Sequence, residues 1–430
     1  MKRTLGHLFM SMRLLCVGAW STAVQAVTSN NHLLGVATPA ARLSVIIRKH
    51  FWQPLGTSLL TVVLVSTACG TTSSVSSSTN NGLDVFSVIQ PSKMTDLIFS
   101  SVSCSSPTVC MAVGTTGGSG PVVVLTSDGH QWLREPSLPG SFLSASVSCP
   151  SSVMCVVVAT GVEDGVTGSR GYAFVFNDHR VVSKTVLPAG DYGIITGTVV
   201  SCTSVTFCLA VETTSNQIVA VSFNGTNWGA STHVTATLML PSLYCSTPRL
   251  CVVTGFDSVT HEGMLFRYNG RNWVSSTVSE YHRIVEPRAV VCSTVHFCLV
   301  GGNLLSSSKQ GLAYPGPANA GPSVTYFNLA NRHITPVAMP AVSSQLPADS
   351  PLAVSGISCT IPNNCIAVVS QRIGTTWRDA LVVLGHHSRP QLRWLSSRYD
   401  IGPFPAMSCS KNFCALVGGA YALITRLAVS

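Results

Sequence analysis

Short apolar runs, four to eight residues long and rich in Val, Ile, Leu and Ala, alternate with turns of Gly, Ser, Asn and Asp along most of the chain. Ser101–Gly114 (SVSCSSPTVCMAVG) sets the pattern and returns, degraded, six more times. In each copy a first Cys closes a run of small and β-branched residues, and a second opens an apolar run such as CMAVG, CVVVA, CLAVE or CIAVV. The pairs are Cys104/Cys110, Cys149/Cys155, Cys202/Cys208, Cys245/Cys251, Cys292/Cys298, Cys359/Cys365 and Cys409/Cys414. Five residues separate six of the pairs, and four separate the last. First cysteines recur at steps of 45, 53, 43, 47, 67 and 50 residues, a period that marks a repeat architecture.

Runs this short and this β-branched predict strands, four to a repeat, rather than helical pairs. Strand A is SVSC, strand B CMAVGT, strand C PVVVLTS and strand D HQWLREPS. The turn before strand D recurs as SDGHQW, FNGTNW and YNGRNW, where Asp-Gly or Asn-Gly supplies the positive φ of a tight hairpin. The aromatics that follow, Trp132, Trp228, Trp273 and Trp394, are expected to cover the flank of the next repeat. The seventh repeat has only three strands before Ser430, and Asp84–Ser92 (DVFSVIQPS) has the pattern and spacing of the fourth. The fold expected is all-β: a seven-bladed β-propeller of four-stranded blades, its last blade closed by this N-terminal strand.

Composition narrows the setting. Only 10% of residues are charged, with Ser and Thr carrying the surface. The net charge of +9 divides unevenly: Lys2, Arg3, Arg13, Arg42, Arg48 and Lys49 precede Leu83, and all 16 acidic residues follow it. The body thus holds 19 basic against 16 acidic residues, with no basic stripe interleaved with aromatics, which argues against nucleic acid. So few carboxylates also predict tolerance of acid.

Three segments follow: a leader region over 1–68, a Ser/Thr-rich tether over 69–83 and the propeller over 84–430. Two apolar stretches, Leu14–Trp20 and Leu55–Val65, follow basic residues and have signal-peptide length. The pair is explained if Met1 lies upstream of the true start. The second ends in STAC and resembles the lipobox of bacterial lipoproteins, with Ala68 before Cys69 and Gly70 after it. The resemblance implies that Cys69 is the lipidated N-terminus of an exported protein, anchored in a membrane or else secreted. The alternative is an unmodified cysteine in an ordinary signal segment.

Export and paired cysteines together indicate one disulfide per repeat, at the base of each A–B hairpin. Zinc binding and reduced thiols are the rival readings, and no CxxC suggests redox catalysis. The repeats resemble the Cys-paired blades of secreted bacterial propellers, and TSDGHQW (Thr126–Trp132) is similar to the Asp-box of sialidase-like propellers, where that motif is structural. The sialidase arginine triad and Tyr–Glu pair have no matching motif here. His261-Glu262 lacks a second His, and His386-His387 reads as a polar turn, so no metal or cofactor is expected.

In an up-and-down blade the A–B and C–D turns share one end, and the B–C and D–A loops share the other. The first end is uniform. The second carries the insertions, Thr160–Gly171 and Gly302–Pro322 among them, and variable loops on a rigid scaffold are where function concentrates. Asp257, His261 and Glu262 share this end with Glu280, Tyr281, His282, Arg283, Glu286 and Arg288, a dense titratable group in a charge-poor body. It is either a solvated loop or a ligand site. The expected function is a binding or scaffold module whose partner is a protein or glycan of the cell envelope. The alternatives are a polysaccharide-active enzyme, a sialidase-like hydrolase or a lyase, and an assembly factor for a membrane complex.

Overall fold

A computed structural model describes residues 84–89 and 97–426, apart from 118, 163–167, 189–194, 215, 258, 261, 279–283, 306–320, 338, 340–351, 362–363, 374, 386–389, 396–400, 403–404, 412 and 420. The leader, the tether and Cys69 lie outside the described residues, as do His261, Glu280, Tyr281, His282 and Arg283.

Every described element is a strand. β1 (Asp84–Ile89) precedes the repeats. Repeat 1 forms β2 (Leu97–Ser106), β3 (Val109–Thr116), β4 (Gly120–Ser127) and β5 (Trp132–Arg134), and repeat 2 forms β6 (Leu138–Ser148), β7 (Met154–Val162), β8 (Ser169–Asn177) and β9 (Arg180–Val186). Repeat 3 forms β10 (Ile195–Ser204), β11 (Phe207–Thr214), β12 (Gln217–Phe223) and β13 (Trp228–Thr235). Repeat 4 forms β14 (Leu238–Thr247), β15 (Leu250–Asp257), β16 (Gly263–Tyr268) and β17 (Trp273–Thr277). Repeat 5 forms β18 (Ile284–Cys292), β19 (Phe297–Leu305), β20 (Gly321–Asn328) and β21 (Ile334–Val337), and repeat 6 forms β22 (Leu352–Ile361), β23 (Asn364–Ile373), β24 (Thr376–Gly385) and β25 (Gln391–Trp394). Repeat 7 forms β26 (Ala406–Ser410), β27 (Phe413–Gly418) and β28 (Tyr421–Arg426).

Repeats 3 to 6 are each a four-stranded antiparallel meander, and in the sheet of repeat 7 β1 takes the outer place, in the order β1-β28-β27-β26. Repeats 1 and 2 differ from expectation, because they share one eight-stranded sheet. β5 is only three residues long and pairs with Leu125–Ser127 of β4, so the far half of that edge is left for the start of β6, where Gly120 and Val122 pair with Phe142 and Leu138. An open edge next to a strand starting four residues later is filled by it.

The core lies between sheets rather than within one. Among the described residues seven apolar clusters form, six drawn from two consecutive repeats and one joining Phe413, Val417 and Ile424 of repeat 7 to Leu97, Phe99 and Trp132 of repeat 1. Trp132, Trp228 and Trp273 pack into the clusters shared with the preceding repeat, not the next one as the sequence suggested. A serine hydroxyl before the first Cys accepts the N–H of the following repeat's first Cys, Ser103 from Cys149, Ser148 from Cys202, Ser201 from Cys245 and Ser358 from Cys409, and Ser408 of repeat 7 accepts that of Cys104 in repeat 1, all at 2.9 Å. These bonds hold the inner strands level, so the Cys hairpins gather at one end.

Candidate functional site

All seven expected disulfides form within their repeats: Cys104–Cys110, Cys149–Cys155, Cys202–Cys208, Cys245–Cys251, Cys292–Cys298, Cys359–Cys365 and Cys409–Cys414. Their Cα–Cα separations are 3.8–4.1 Å. In six of the pairs the two cysteines face one another across the A–B ladder, as in Cys104↔Cys110 and Cys409↔Cys414, while Cys149 follows directly after the end of β6.

The disulfides lie in the seams between repeats: the second cysteines are the deeper, and Cys149, Cys245 and Cys292 among the first cysteines are buried there too. The second cysteine opens strand B, in the middle of the sheet, and its sulfur enters the apolar seam between repeats. Cys110, Cys208, Cys251, Cys298, Cys365 and Cys414 are accordingly at most 1% exposed, and each belongs to one of the apolar clusters. Buried that deeply and oxidised, Cys251, Cys298, Cys365 and their counterparts can meet no ligand. They are packing residues of the core and staples of the hairpins. So many disulfides point to an extracytoplasmic or secreted protein.

The C–D turns at the same end are built alike. Asp128 accepts the N–H groups of His130 and Gln131 (2.9 Å each), and Asn224, Asn269 and Asn328 hold their turns in the same way. Gly129, Gly225 and Gly270 follow at φ of +89, +95 and +93°, where a side chain would be strained. The N–H groups of Gln131 and then His130 hold the Asp128 carboxyl below its usual range.

The other end carries the candidate ligand site. Asp257 is nearly buried, and its Oδ1 accepts from Thr237 Oγ1 (2.7 Å) and the N–H groups of Val259 (2.8 Å) and Thr260 (3.2 Å). Its own N–H donates to the Glu262 carbonyl, so the B–C turn of repeat 4 uses both residues. Glu286 and Arg288 of repeat 5 pair at 2.6 Å, with Asn303 donating to the other carboxylate oxygen at 3.5 Å. Arg288 sits where the A strand bulges between Pro287 and Ala289. The structure therefore joins Asp257 to Glu262 and Glu286 to Arg288, as two separate local pairs.

One residue at this end escaped the sequence reading. Glu212, four residues after Cys208, is fully buried, and neither carboxylate oxygen has a hydrogen-bond partner. Burial alone pushes its pKa up to about 8. The other repeats place Gly114, Ala159, Gly255, Gly302, Val369 and Gly418 at the same step after the Cys. What admits a carboxyl here is Gly171 on β8 of repeat 2, where a Cβ would overlap Glu212 Oε1. Beside it Thr160 and Thr198 share a 2.6 Å hydrogen bond across the seam, and Gln217 Nε2 is buried without a partner. The signal was present in sequence as an acid at a step otherwise occupied by apolar residues.

Among the described residues no three His, Cys, Asp or Glu side chains gather in a way that could hold a metal ion, and no helix is long and apolar enough to cross a membrane.

Among solved structures, hydrazine synthase of Kuenenia stuttgartiensis is similar at TM-score 0.54 and 10% identity, over 80% of this chain and 98% of that one. A chain of the mitotic checkpoint complex is similar at TM-score 0.50 and 11% identity, over 85% and 99%. The chain has the β-propeller fold. At such identities the likeness shows the fold alone. The Dos1 propeller lies further off, at TM-score 0.46 and 9% identity over 80% and 95%. No protein-family model and no curated protein matches the sequence.

Proposed function

We propose that the chain is an exported propeller of seven blades, closed into a ring by β1, anchored at the cell envelope through a lipid on Cys69, and acting there as a binding or scaffold module. The observation that carries the binding role is the contrast between the two ends. One is fastened by disulfides and repeated Asx turns, and the other carries the long insertions and the cluster from Asp257 to Arg288. A scaffold held rigid at one end and varied at the other suits recognition. Closure is supported by the β1–β28 pairing and by the cluster between repeats 7 and 1. Seven blades are supported by the seven seams, with the shared sheet of repeats 1 and 2 arising from the shortness of β5.

The ligand class this site suits is a polar partner, a glycan or protein of the envelope. A glycan array probed with the purified chain tests it. Tyr281→Ala, His282→Ala and Arg283→Ala together should abolish the signal while leaving the melting temperature unchanged. Unaltered binding would remove the site from consideration, and release of reducing ends from a bound glycan would replace binding with hydrolysis. Mass spectrometry of the mature chain tests the anchor: a lipid on Cys69 supports it, and an unmodified terminus at Val27 or a retained Met1 removes it.

A further inference from the structure

The disulfide end has a surface character of its own. Val153, Val205, Val295 and Phe297 stand at the tips of A–B hairpins and are 43–51% exposed, although nothing in the hairpin geometry requires apolar residues there. Between them lie exposed cations: Arg271 and Arg332 in C–D turns, Arg180 at the start of β9 directly after one, and Arg249 and Lys411 in A–B hairpins. Against these five, the described turns of this end hold two carboxylates, Asp128 and Asp178, and the first is engaged by its own turn. Apolar tips interleaved with cations form an arc through repeats 2 to 5, with Lys411 in repeat 7.

The path of the chain bears on the same end. β1 runs antiparallel to β28, and Asp84 is level with Arg426, which in turn is level with Phe413 beside the Cys409–Cys414 hairpin. The chain therefore enters its first strand from the disulfide end.

We propose that the disulfide end docks on an anionic lipid surface, with the variable-loop end turned away from it. Arginine and lysine side chains are drawn to anionic headgroups, and a few apolar side chains inserted at the interface add to that attraction. Positive charge alone would suit any polyanion; the apolar tips favour a lipid interface. The proposal rests on the envelope reading above and adds an orientation to it, since a lipid on Cys69 would tether the end that the chain enters first.

The test uses the full-length chain with Cys69→Ser, so that no lipid is attached, and vesicles of phosphatidylcholine with or without phosphatidylglycerol. The parent should sediment with the anionic vesicles and be released by salt. Reversing Arg249, Arg271 and Arg332 to Glu should weaken this by roughly tenfold or more. Val295→Ser with Phe297→Ser should weaken it too, while reversal of Arg170 and Arg372 at the other end should leave it intact. All variants share residues 1–83, so any contribution from the leader is common to them. Hydrogen exchange on vesicles should slow in the A–B and C–D hairpins. Equal binding by the charge-reversed chain, or protection at the B–C loops instead, overturns the proposal. So does full retention by the Ser variant together with competition by soluble dextran sulfate, which would identify a polyanion as the partner. An unmodified Cys69 with this binding pattern intact would remove the anchor and leave the docking end standing.

Discussion

The backbone N–H of Cys104 donates to the hydroxyl of Ser408 at 2.9 Å, although 304 residues separate the two. The same bond joins four pairs of consecutive repeats, each through the serine just before a first Cys. Where that serine is replaced, by Tyr244 and Val291, the seam changes character. At Tyr244 the ring packs into the apolar clusters of repeats 4 to 6, and the seam keeps the bond two residues earlier, Val290 N–H to Ser242 (3.1 Å), which other seams make as well, Val147 to Ser101 and Val200 to Ser146. Burial there raises the Tyr244 phenol pKa.

Ser408→Ala removes the acceptor and leaves a part-buried N–H unpaired, which should cost about 1 kcal/mol. Denaturant unfolding of the variant should show that loss. Ser358→Ala and Ser103→Ala should each match it, since each occupies the same place at another seam. No loss in any of the three would mean that the serines are incidental to the seams.

The Cys spacing made the strands, the hairpins and the disulfides legible, because a cysteine pair and an Asn-Gly turn each impose one local geometry. Other features depend on which flank of a twisted sheet meets which neighbour. The side taken by Trp132, Trp228 and Trp273 was misjudged for that reason, and the sharing of β4 between β5 and β6 turns on register. The depth of Cys251, Cys298 and Cys365 was hidden likewise, since the spacing of a pair does not show how far its disulfide lies inside a seam. Glu212 reads as a surface residue until its step after Cys208 is compared across repeats. At the candidate site, the charge cluster was visible, but only the structure shows Asp257 holding its own turn and Glu286 paired with Arg288.

Glu212 makes stability depend on pH in an unusual direction. Its carboxyl titrates near 4.5 when unfolded and about 8 when folded. The elements packed against it present Thr160, Gly171, Thr198, Gln217 and Val219, so among the described residues no charged group faces it. Between those pH values only the unfolded chain is ionised, and rising pH favours unfolding. The stabilisation is whole below about pH 4.5 and is lost as pH passes through about 8, a swing on the order of 5 kcal/mol. Asp128 acts in the opposite sense, losing its contribution in acid, but it is exposed and weak. Urea midpoints at about pH 5 and about pH 9 should therefore favour acid, and Glu212→Gln should flatten the difference. A parent chain with no such difference would show that the seam opens to water around Glu212.

Gly171→Ala should be destabilising by roughly 1–3 kcal/mol, because its Cβ falls where the Glu212 carboxyl lies. Glu212→Ala in the same chain should restore much of the loss. Simple additivity of the two substitutions would mean that the niche is not shared.

Reduction and alkylation should weaken the fold at each hairpin by about 2 kcal/mol in the chain-entropy account of a loop this short. Non-reducing peptide mapping should recover Cys104–Cys110 through Cys409–Cys414 as seven local bridges. A bridge between repeats would contradict the level alignment of the inner strands.

β1 carries the heaviest structural consequence for its length. It covers the outer edge of β28, from Asp84↔Arg426 to Ile89↔Ala422, in a sheet whose other three strands come from the opposite end of the chain. Without it the edge of β28 would stand unpaired, a template for association with another copy. Residues 70–82 (GTTSSVSSSTNNG) hold no apolar run that could be buried, so deleting them should leave the melting temperature nearly unchanged. Extending the deletion through residue 92 removes β1 and should lower the melting temperature sharply, with concentration-dependent association seen by light scattering. The comparison separates the strand from its tether, because both deletions shorten the same segment and only one reaches the ladder. Equal melting temperatures would mean that β1 contributes nothing to the sheet of repeat 7, and the closed ring proposed above would have to be abandoned.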